Sequence, residues 1–593
     1  MAAQRAYTTH PLVLRRLTVR RVHEVTPRMR RVVLGGEDLA AFTRDGIGRP
    51  AFSAPGFDDH IKLILAADGD IHAALPAQLP HGIEWTPAEH RLTRDYTPRR
   101  VDLQKGELHL DFVVHGEGPA ETWSAAAREG DELWFVGPKS SLRLPERLDW
   151  MLLVGDETAL PAIGRFLDER PLDATAHVLV TVSDDSARQE LALRDGDTIT
   201  WVVAEPGDAA ALDAAVRALP VPTGEGYAWA AAESRALLPV RRYLQRERKL
   251  PKDRLNITGY WHREEATAPE GEGTADNGAA ARGPADGRVP SPLPWLVTRA
   301  ALLLGVVDAV ADAPGLPVGA LATRLGMPGP GIDVLLPLLA AYDVVVGADD
   351  GTGLRLGPAG EELLDDHERE EYTGHEAELL LALTHLAPAL RNGTSPWRLA
   401  SGTTLHDTVT HDAERYGELV EECEQLVFLL DGLTADPLWE DVGTCLLTGP
   451  GSASVVAALD DAGRRPRLRI AEDATPATVL RGQVPAPERI DWTAGPADVA
   501  VAAKALAYRT DQEATLLLTR LTDWTRTAVL VEASRPDGLS PHAAEAALHA
   551  YGATGSPLRD SAAIAALAKR SGWDVGRTIA LGWGAEATVL HRA

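Results

Sequence analysis

RDYTPR, the sequence of residues 94–99, places two arginines, a tyrosine and a threonine on one predicted strand. Side chains alternate between the two faces of a strand, so Arg94 and Tyr96 face one way and Thr97 and Arg99 face the other. An aromatic ring can stack on a flat heteroaromatic ligand, a hydroxyl can reach its ring nitrogen, and arginine binds phosphate. The segment therefore predicts a flavin site. An edge strand with solvated arginines is the alternative that the hexapeptide alone leaves open.

A second segment, FVVHGEGPAETWS at residues 112–124, runs from a predicted strand through a glycine-containing turn into a helix. Pro119 stands where that helix opens, which is the position that proline tolerates best. The backbone N–H groups at a helix start have no partner within the helix and bind anions such as a pyrophosphate. An ordinary strand–turn–helix is the alternative, but the nearby 94–99 strand favours a cofactor turn. The cofactor-binding candidates here are His115, Gly116, Gly118, Pro119 and Ala120.

The residues around these two segments predict two domains. Residues 10–148 hold short alternating stretches separated by turn residues, which is typical of a small antiparallel β-barrel. Residues 149–263 hold short apolar runs between helical stretches, which is typical of a parallel sheet covered on both faces. The predicted fold class for this part is an antiparallel β-barrel flavin domain followed by an α/β nicotinamide domain; a resemblance described below implies a ferredoxin-reductase-like arrangement.

The α/β domain carries a second candidate cofactor loop, which follows a buried strand and opens a helix where a dinucleotide pyrophosphate would lie. Its candidate residues are Gly155, Asp156, Thr158 and Ala159. The loop lacks the G-x-G-x-x-G pattern, so a plain strand-to-helix turn is the alternative. Asp184 and Asp185 follow the next strand, where an acid can bond a ribose hydroxyl and favours NADH. The nearby Arg188 favours NADPH, and the choice between the two stays open.

The composition limits the chemistry that the side chains themselves supply. The 593 residues include only two cysteines, which excludes a disulfide framework, a four-cysteine zinc site and a cysteine-ligated iron–sulfur cluster. The histidines show no metal-ligand spacing. No apolar run reaches membrane-spanning length, and the N-terminus lacks the apolar core of a signal peptide. We therefore expect a cytoplasmic protein, without a membrane partner, whose redox chemistry comes from a bound organic cofactor.

In the order and spacing of their motifs, residues 10–262 resemble the siderophore-interacting protein family, the flavin-dependent ferric-siderophore reductases. The matching blocks include DHIKL at 59–63, the 94–99 strand, the 115–123 turn, GP at 137–138, GDETALPA at 155–162, AES at 232–234 and GYW at 259–261. The resemblance implies FAD held by the 94–99 strand and by the turn from His115 to Ala120, with NADH or NADPH as electron donor. It adds Glu233 and Ser234 as cofactor-binding candidates. It implies an oxidoreductase without a catalytic side chain, since FAD carries the electrons.

The partner that this resemblance implies is a ferric siderophore, an oxygen-rich and often anionic chelate whose site needs positive charge. Lysine is rare in this chain, and Lys62 and Lys139 lie within or beside matching blocks. Arg246, in the basic stretch 241–249, is the third substrate-binding candidate, although the solvated face of an amphipathic helix is the simpler interpretation of that stretch. Hard oxygen donors hold Fe(III) far better than Fe(II), so adding one electron weakens the chelate.

The remaining residues predict a linker and two further domains. Residues 264–293 are rich in Gly, Ala, Pro and acidic residues without apolar periodicity, which is typical of a flexible linker. Residues 294–433 predict a winged helix and a helical dimerisation region, and residues 434–593 predict a second, Rossmann-like α/β domain. The first 265 residues carry about −6 of the net charge of −27 and the rest about −21. Such a field repels nucleic acid and anionic membranes.

This second half resembles the small-molecule O-methyltransferases, whose winged helix forms a dimer. The loop LLTGPGSA at 446–453 keeps two glycines of a G-x-G-x-G cofactor pattern but has Ala453 in place of the third, while Glu472 or Asp473 still stands where an acid binds the ribose. In KALAYRTD, at 504–511, an alanine replaces that family's catalytic histidine. We expect a degenerate domain that serves homodimerisation or partner docking. A working methyltransferase and a redox-linked regulatory module are the alternatives.

Overall fold

The computed structural model describes residues 7–593 except 68, 89, 115–117, 221, 263–290, 328, 348–352, 485 and 536–542. Two predicted cofactor residues, His115 and Gly116, and nearly all of the predicted 264–293 linker lie outside the described residues. The described chain falls into an N-terminal half, residues 7–262, and a C-terminal half, residues 291–593.

The first domain of the N-terminal half is a seven-stranded antiparallel sheet that curls round on itself. In their order across the sheet, the strands are Pro98–Asp102, Glu107–Val113, Met29–Gly35, Leu14–Thr26, Glu132–Val136, Ile61–Ala66 and Arg91–Tyr96. The two edge strands are consecutive in sequence and only Thr97 separates them, so the edges of the sheet meet at that residue. Apolar side chains at alternate positions, among them Val32, Leu34, Leu108 and Leu110, are fully buried inside.

Shorter elements surround this barrel. Three strand pairs are Tyr7–Thr9 with Ser140–Leu142, Phe42–Arg44 with Ile47–Arg49, and Ala77–Gln78 with Ile83–Glu84. The helical segments are Glu37–Leu39, Ile71–Ala74 and Pro119–Ala126. The last of these begins with a proline and packs beside the strand Glu107–Val113, as a helix that closes one end of a barrel would.

The second domain is a five-stranded parallel sheet with helices on both faces. In spatial order its strands are Thr198–Val203, Thr175–Val182, Trp150–Gly155, Gly226–Glu233 and Leu255–Trp261. The helices are Leu160–Glu169, Ala209–Ala218, Leu237–Arg242 and the π-helical Tyr243–Glu247, with short turns at Glu157–Ala159, Asp185–Ala187 and Lys252–Arg254. The strand order reverses on either side of Trp150–Gly155. In such sheets ligands bind beyond the carboxyl ends of the strands at this switch point.

The C-terminal half begins with four helices and a hairpin, in the order typical of a winged helix. These elements are Leu293–Leu303, Val306–Asp312, Val318–Arg324, Gly329–Ala341, Val345–Gly347 and Leu354–Leu356. A helical region follows, comprising Pro358–Glu362, Asp366–Thr373, His375–Ala382, Leu383–His385, Leu386–Asn392, Pro396–Ser401, Leu405–Thr410, Ala413–Glu422, Glu424–Phe428, Asp431–Thr434 and Pro437–Trp439. Within the described ranges no single helix has the length and apolarity to cross a membrane, whereas the bent pair Leu293–Leu303 and Val306–Asp312 reaches them together.

The chain ends in a six-stranded mixed sheet. Its strands in spatial order are Arg467–Ile470, Thr444–Thr448, Val499–Ala503, Thr527–Ala533, Ala585–Arg592 and Trp573–Gly582. The first four strands pair in parallel, and Ala585–Arg592 pairs antiparallel with both of its neighbours. The helical segments here are Ser452–Asp461, Ala474–Arg481, Pro487–Arg489, Asp511–Leu521, Ala543–Thr554 and Ser561–Arg570. One apolar cluster joins this sheet to the helical region before it, so both belong to one body.

The two halves pack against each other through the hairpin turn at 582–584. Trp583 lies against the apolar cluster of the barrel that includes Ile83 and Trp85. A side chain at Gly582 would come within 2.4 Å of the Ile83 carbonyl oxygen, so only glycine permits this approach. Arg535 donates hydrogen bonds to the buried carboxylate of Glu84 across the same contact, at 2.8 Å for the shorter bond.

A second contact between the halves is ionic. Three arginines on and just before the helix Leu237–Arg242 pair with three carboxylates near the helix Pro358–Glu362. The pairs are Arg235 with Glu362, Arg241 with Asp365, and Arg242 with Glu361. Arg241 and Arg242, the first two residues of the predicted basic stretch 241–249, therefore pair with the C-terminal half.

Candidate functional site

A cavity of about 340 Å³ opens where the barrel meets the carboxyl edge of the parallel sheet. Its volume is in the range of small-molecule sites. Both domains contribute to its wall, and the lining residues are His60, Arg94, Asp95, Tyr96, Thr97, Asp111, Val113, Gly118, Pro119, Ala120, Glu121, Thr158, Pro161, Thr258, Gly259, Tyr260 and Trp261. Six predicted cofactor residues of the barrel thus meet around one space: Arg94, Tyr96, Thr97, Gly118, Pro119 and Ala120.

Tyr96 supplies an aromatic wall that the barrel core holds in place. Its ring lies 4.5 Å from the ring of Phe112, which in turn lies 5.8 Å from that of Trp123. Burial raises the pKa of Tyr96 well above its ordinary value, so its hydroxyl stays neutral at any physiological pH. A rigid, uncharged ring of this kind can stack on a flat heteroaromatic ligand.

Thr97 stands at the corner where the two edge strands of the barrel meet, and it is buried. Its hydroxyl is hydrogen-bonded to Tyr260 of the α/β domain, whose pKa burial raises. This pair connects the two domains at the cavity floor. It also brings a hydroxyl beside the aromatic wall, although strict alternation places Thr97 and Tyr96 on opposite faces.

The two arginines of the 94–99 segment have different surroundings. Arg94 lines the cavity, and its Nη1 donates to the Thr93 carbonyl oxygen at 2.8 Å. Arg99 does not line the cavity. Its guanidinium pairs with Asp168 at 2.7 Å and lies over Gly164, both on the helix Leu160–Glu169. Its predicted role at a cofactor phosphate is not supported by this position, because Arg99 instead joins the barrel to the α/β domain.

The loop after the strand Trp150–Gly155 is built around the buried carboxylate of Asp156. The carboxylate accepts hydrogen bonds from the backbone N–H of Thr158 at 2.9 Å, from that of Glu233 at 3.1 Å and from the indole N–H of Trp261 at 2.7 Å. Full burial raises the pKa of Asp156, and these donors oppose the rise. Asp156 therefore ties together the ends of three strands. The prediction that it contacts a cofactor gains no support from this arrangement, because Asp156 does not line the cavity and its oxygens bond within the scaffold.

The other residues of this loop also divide between wall and scaffold. Thr158 lines the cavity as predicted. Gly155 and Ala159 lie beneath it: a side chain at Gly155 would come within 2.7 Å of the Ala231 carbonyl oxygen, and Ala159 is fully buried. They shape the loop without facing the cavity, so their predicted contact with a cofactor is not supported.

Glu233 and Ser234 likewise serve the scaffold. Glu233 is buried, and its carboxylate accepts a hydrogen bond from the Ala236 N–H at 2.8 Å at the start of the next helix. The Ser234 hydroxyl donates to the Trp261 carbonyl oxygen at 3.1 Å. Glu233 thus fixes the start of the next helix, Ser234 fixes the end of the strand that carries Tyr260 and Trp261, and neither side chain lines the cavity.

The acids after the second parallel strand already have arginine partners. Asp184 accepts from Arg28 of the barrel at 2.7 Å, and the bonds from Ser186 and Arg28 lower its pKa to about 2. Asp185 pairs with Arg188 at 2.7 Å. Because each charge is matched, the charges near this strand end favour neither NADH nor NADPH.

The three predicted substrate residues do not lie together. Lys62 pairs with Asp95, which lines the cavity, at 2.8 Å. The ammonium of Lys139 lies near both, since burial and the charge of Lys62 lower its pKa while Asp95 opposes the shift. Arg246 lies in the π-helical segment Tyr243–Glu247 and does not line the cavity, so the structure gives no support to its substrate role.

Sequence reasoning missed several residues of the wall. Tyr260, Trp261 and Thr258 come from the last parallel strand, and His60 comes from the turn before the strand Ile61–Ala66. The signal was present in the GYW motif at 259–261, because an aromatic pair at the carboxyl end of a parallel strand stands where ligands bind.

Two carboxylates lie near Tyr260 of the cavity wall without lining the cavity: Asp58 is half-buried and Asp59 is buried. Asp58 accepts hydrogen bonds from the Trp229 indole at 3.0 Å and from the Asn256 amide at 3.2 Å. Asp59 is only 2% exposed, and one of its oxygens accepts from the Gly56 N–H and the Ser141 hydroxyl, both at 2.8 Å. Burial raises the pKa of Asp59 to about 7.

In the C-terminal half, the glycine loop contacts its own acid. Glu472 accepts from the Thr448 hydroxyl at 2.7 Å and from the Gly449 N–H at 2.5 Å, and burial raises its pKa. The buried guanidinium of Arg509 lies 4.5 Å from the Tyr508 ring centre and close enough to Glu472 to oppose that rise. One oxygen of Glu472, a candidate ribose-binding acid, is thus bonded to this chain's own loop. Among the described residues no cluster of acids, histidines and cysteines could hold a metal ion.

Comparisons with known proteins identify the class of the N-terminal half. Residues 18–142 match the family model of the siderophore-interacting FAD-binding domain, and residues 148–264 match that of the siderophore-interacting protein. The chain is 34% identical over 254 residues to the NADPH-dependent ferric-chelate reductase of Escherichia coli, covering 42% of this chain and 94% of that one. It is 32% identical over 243 residues to the ferric vibriobactin reductase ViuB of Vibrio cholerae, covering 40% and 86%. The chain therefore belongs to the siderophore-interacting protein family.

A solved structure similar to another part of the chain is an O-methyltransferase, NcsB1, from neocarzinostatin biosynthesis. It is 19% identical, covers 51% of this chain and 97% of its own, and has a TM-score of 0.40.

Proposed function

We propose that this protein is a cytoplasmic FAD-dependent oxidoreductase that uses NADH or NADPH to reduce ferric siderophores and so releases Fe(II). The observation that carries the proposal is the cavity between barrel and parallel sheet, with Tyr96 and Arg94 on one side and the switch-point residues Thr158 and Trp261 on the other. One space thus offers an aromatic wall, a cation and the edge of a nucleotide-type sheet. The Escherichia coli relative is named an NADPH-dependent ferric-chelate reductase.

The residues of the barrel fit FAD. Tyr96 offers its ring to the isoalloxazine, Thr97 offers a hydroxyl at its edge, and Arg94 offers charge to the phosphates. At the described end of the turn, Gly118 and Ala120 offer backbone N–H groups at the start of the helix Pro119–Ala126, whereas Pro119 has none. When bound, FAD takes two electrons from a nicotinamide and passes them on singly. The chain's own groups bind and orient the partners and exclude water, and no side chain is needed as nucleophile or base.

Positive charge beside the cavity supports an anionic substrate. Neither Lys62 nor Lys139 lines the cavity, but Lys62 pairs with the lining residue Asp95 at 2.8 Å, and Lys139 lies close enough to both for their charges to act on it. We propose that they bind the outer oxygens of the chelate. The ferric ion is cargo and needs no protein ligand, because reduction to Fe(II) weakens its hold on hard oxygen donors.

We propose that the C-terminal half is a non-catalytic, methyltransferase-like accessory region. Two features support this: Glu472 is bonded to its own glycine loop, and the 504–511 stretch has Ala507 where a general base is expected. Its role as a homodimerisation region is part of the same proposal.

The test is the visible spectrum of the purified full-length protein, titrated anaerobically with NADPH or NADH and then with a ferric chelate. Flavin absorbance that bleaches with the nicotinamide and returns with the chelate is the expected result, and a colourless protein that takes up no added FAD would refute the proposal. Arg94→Ala should lower the bound flavin per chain. Arg100→Ala is the matched control, since that neighbouring arginine is 57% exposed at its side chain and outside the cavity.

A further inference from the structure

A phenylalanine of the C-terminal half covers a predicted chelate-binding lysine of the N-terminal half. Phe428 ends the short helical segment Glu424–Phe428, and the ammonium of Lys139 lies 4.7 Å from the centre of its ring. That distance is within the range of an attractive cation–π contact. The contact links the two halves, and no pattern in the sequence of either half predicts it.

Lys139 does not line the cavity, but it lies close to residues that do. It follows Gly137, which is packed against the backbone of His60 and Ile61, and His60 lines the cavity. Strand register places Lys62 opposite Asp95 on the next strand, and Asp95 also lines the cavity. Each lysine therefore lies beside a residue that lines the cavity or its immediate neighbour, and the Phe428 ring lies beside Lys139.

The position of Phe428 is fixed by other contacts between the halves. The Trp583 turn and the bond from Arg535 to Glu84 hold the C-terminal sheet against the barrel. The helix Ser452–Asp461 packs against the segment Glu424–Phe428, and its last residue, Asp461, lies 3.9 Å from Arg143 of the N-terminal half. The segment 424–428 therefore does not rest on a single contact.

From this juxtaposition we propose that the C-terminal half forms one wall of the ferric-siderophore site, and that Phe428 is a positioning residue that holds the Lys139 ammonium toward an anionic chelate. The inference rests on the proposed reductase function. A flexible lysine loses side-chain freedom when it binds, and a ring that already restrains it removes part of that cost. The accessory half thus sets which charge class of chelate the flavin half reduces.

The effect should depend on chelate charge. Removing an exposed or half-buried cation–π contact changes an equilibrium by roughly two- to tenfold. We expect this change in the binding of a trianionic tris-catecholate complex and little change for a neutral tris-hydroxamate complex. A merely structural defect would weaken both.

The experiment compares full-length wild type with Phe428→Leu, which keeps an apolar side chain and removes the ring. Trp492→Leu is the matched control, because Trp492 makes the same kind of contact with Arg481, at 4.6 Å, within the C-terminal half. Binding is measured by titration with the redox-inert gallium(III) forms of both chelates. Reduction of the iron(III) forms gives KM and kcat, and stopped-flow measurements give the rate of flavin reduction by NADPH.

For Phe428→Leu the expected result is a two- to tenfold higher Kd and KM for the trianionic chelate, with flavin reduction, kcat and the neutral chelate unchanged. Equal constants in Phe428→Leu and wild type would overturn the inference, as would tighter binding by the variant. Both outcomes leave the reductase proposal intact, provided that wild type reduces the chelates. A wild type that binds flavin but reduces neither chelate would instead overturn the proposed function.

Discussion

Replacing Asp59 by asparagine should reduce the loss of stability that the N-terminal half undergoes as the pH rises from 5 to 7. In the folded protein the carboxyl group of Asp59 is buried, and its pKa is raised to about 7 by burial and by Asp58, while the hydrogen bonds from Ser141 and Gly56 and the charge of Arg165 oppose the shift. A carboxyl group whose folded pKa lies above its unfolded pKa keeps its proton longer when folded. Stability is therefore greatest at low pH and is lost as the pH rises toward 7.

The magnitude follows from the shift and from the geometry. Between pH 5 and pH 7 the carboxyl group is ionised in the unfolded chain but largely protonated in the folded one. Over these 2 pH units the free energy of unfolding therefore falls by about 3 kcal/mol. Asparagine fits the same contacts, because both donors, Gly56 N–H and Ser141 hydroxyl, bond to one oxygen, while the other oxygen has no partner within the described part of the chain. The amide nitrogen left there costs about 1 to 3 kcal/mol, but equally at every pH.

The assay is the thermal midpoint of flavin release, followed by flavin fluorescence at pH 5, 6, 7 and 8. The midpoint of Asp59→Asn minus that of wild type should rise by about 6 to 12 °C from pH 5 to pH 8, for a unit of this size. Asp184→Asn is the control: its carboxylate pKa is held near 2, so its difference from wild type should stay flat over this range. A flat difference for Asp59→Asn, or one that falls with pH, would refute the reasoning.

Three further outcomes are expected. Lys62→Ala should raise KM for anionic ferric chelates without changing the rate of flavin reduction, and an unchanged KM in steady-state assays would remove Lys62 from the substrate site. Asp156→Asn should lower stability by about 1 to 3 kcal/mol, because the amide nitrogen faces at least one N–H donor in either orientation, that of Thr158 on one side or those of Glu233 and Trp261 on the other; a thermal midpoint equal to that of wild type would contradict this. Calorimetry of the full chain with S-adenosylmethionine should show no binding, because Glu472 is already bonded to its own loop, and saturable heat would restore the methyltransferase alternative.

Strand alternation places Arg94 and Tyr96 on one face, which agrees with the structure, but it does not predict the positions of Thr97 and Arg99. Arg94 and Tyr96 belong to one strand, and both face the cavity. At Thr97 the chain leaves one edge of the barrel for the other, and the pairing shifts again between Pro98 and Arg100. Because the two-residue period does not continue through such a corner, Arg99 points to the helix Leu160–Glu169. No local pattern signals this change.

Long-range contacts explain the other differences. Asp156 stands at a position in the sequence that suits a ligand contact. Its carboxylate instead accepts a hydrogen bond from the indole of Trp261, which lies 105 residues away in the sequence. The same holds for Lys139, since nothing near it in the sequence indicates the ring of Phe428. Periodicity and turn residues predict elements, whereas the partner of a buried polar group depends on how separate elements pack.

The three arginine–carboxylate pairs beside the helix Leu237–Arg242 restrict how this fusion can be rearranged. A chimera that combines this reductase half with a different accessory half would leave Arg235, Arg241 and Arg242 without these three carboxylates unless the new half carried acids at matching places. The two halves are therefore not interchangeable cassettes, and substitutions in this helix are constrained by a surface encoded more than a hundred residues later.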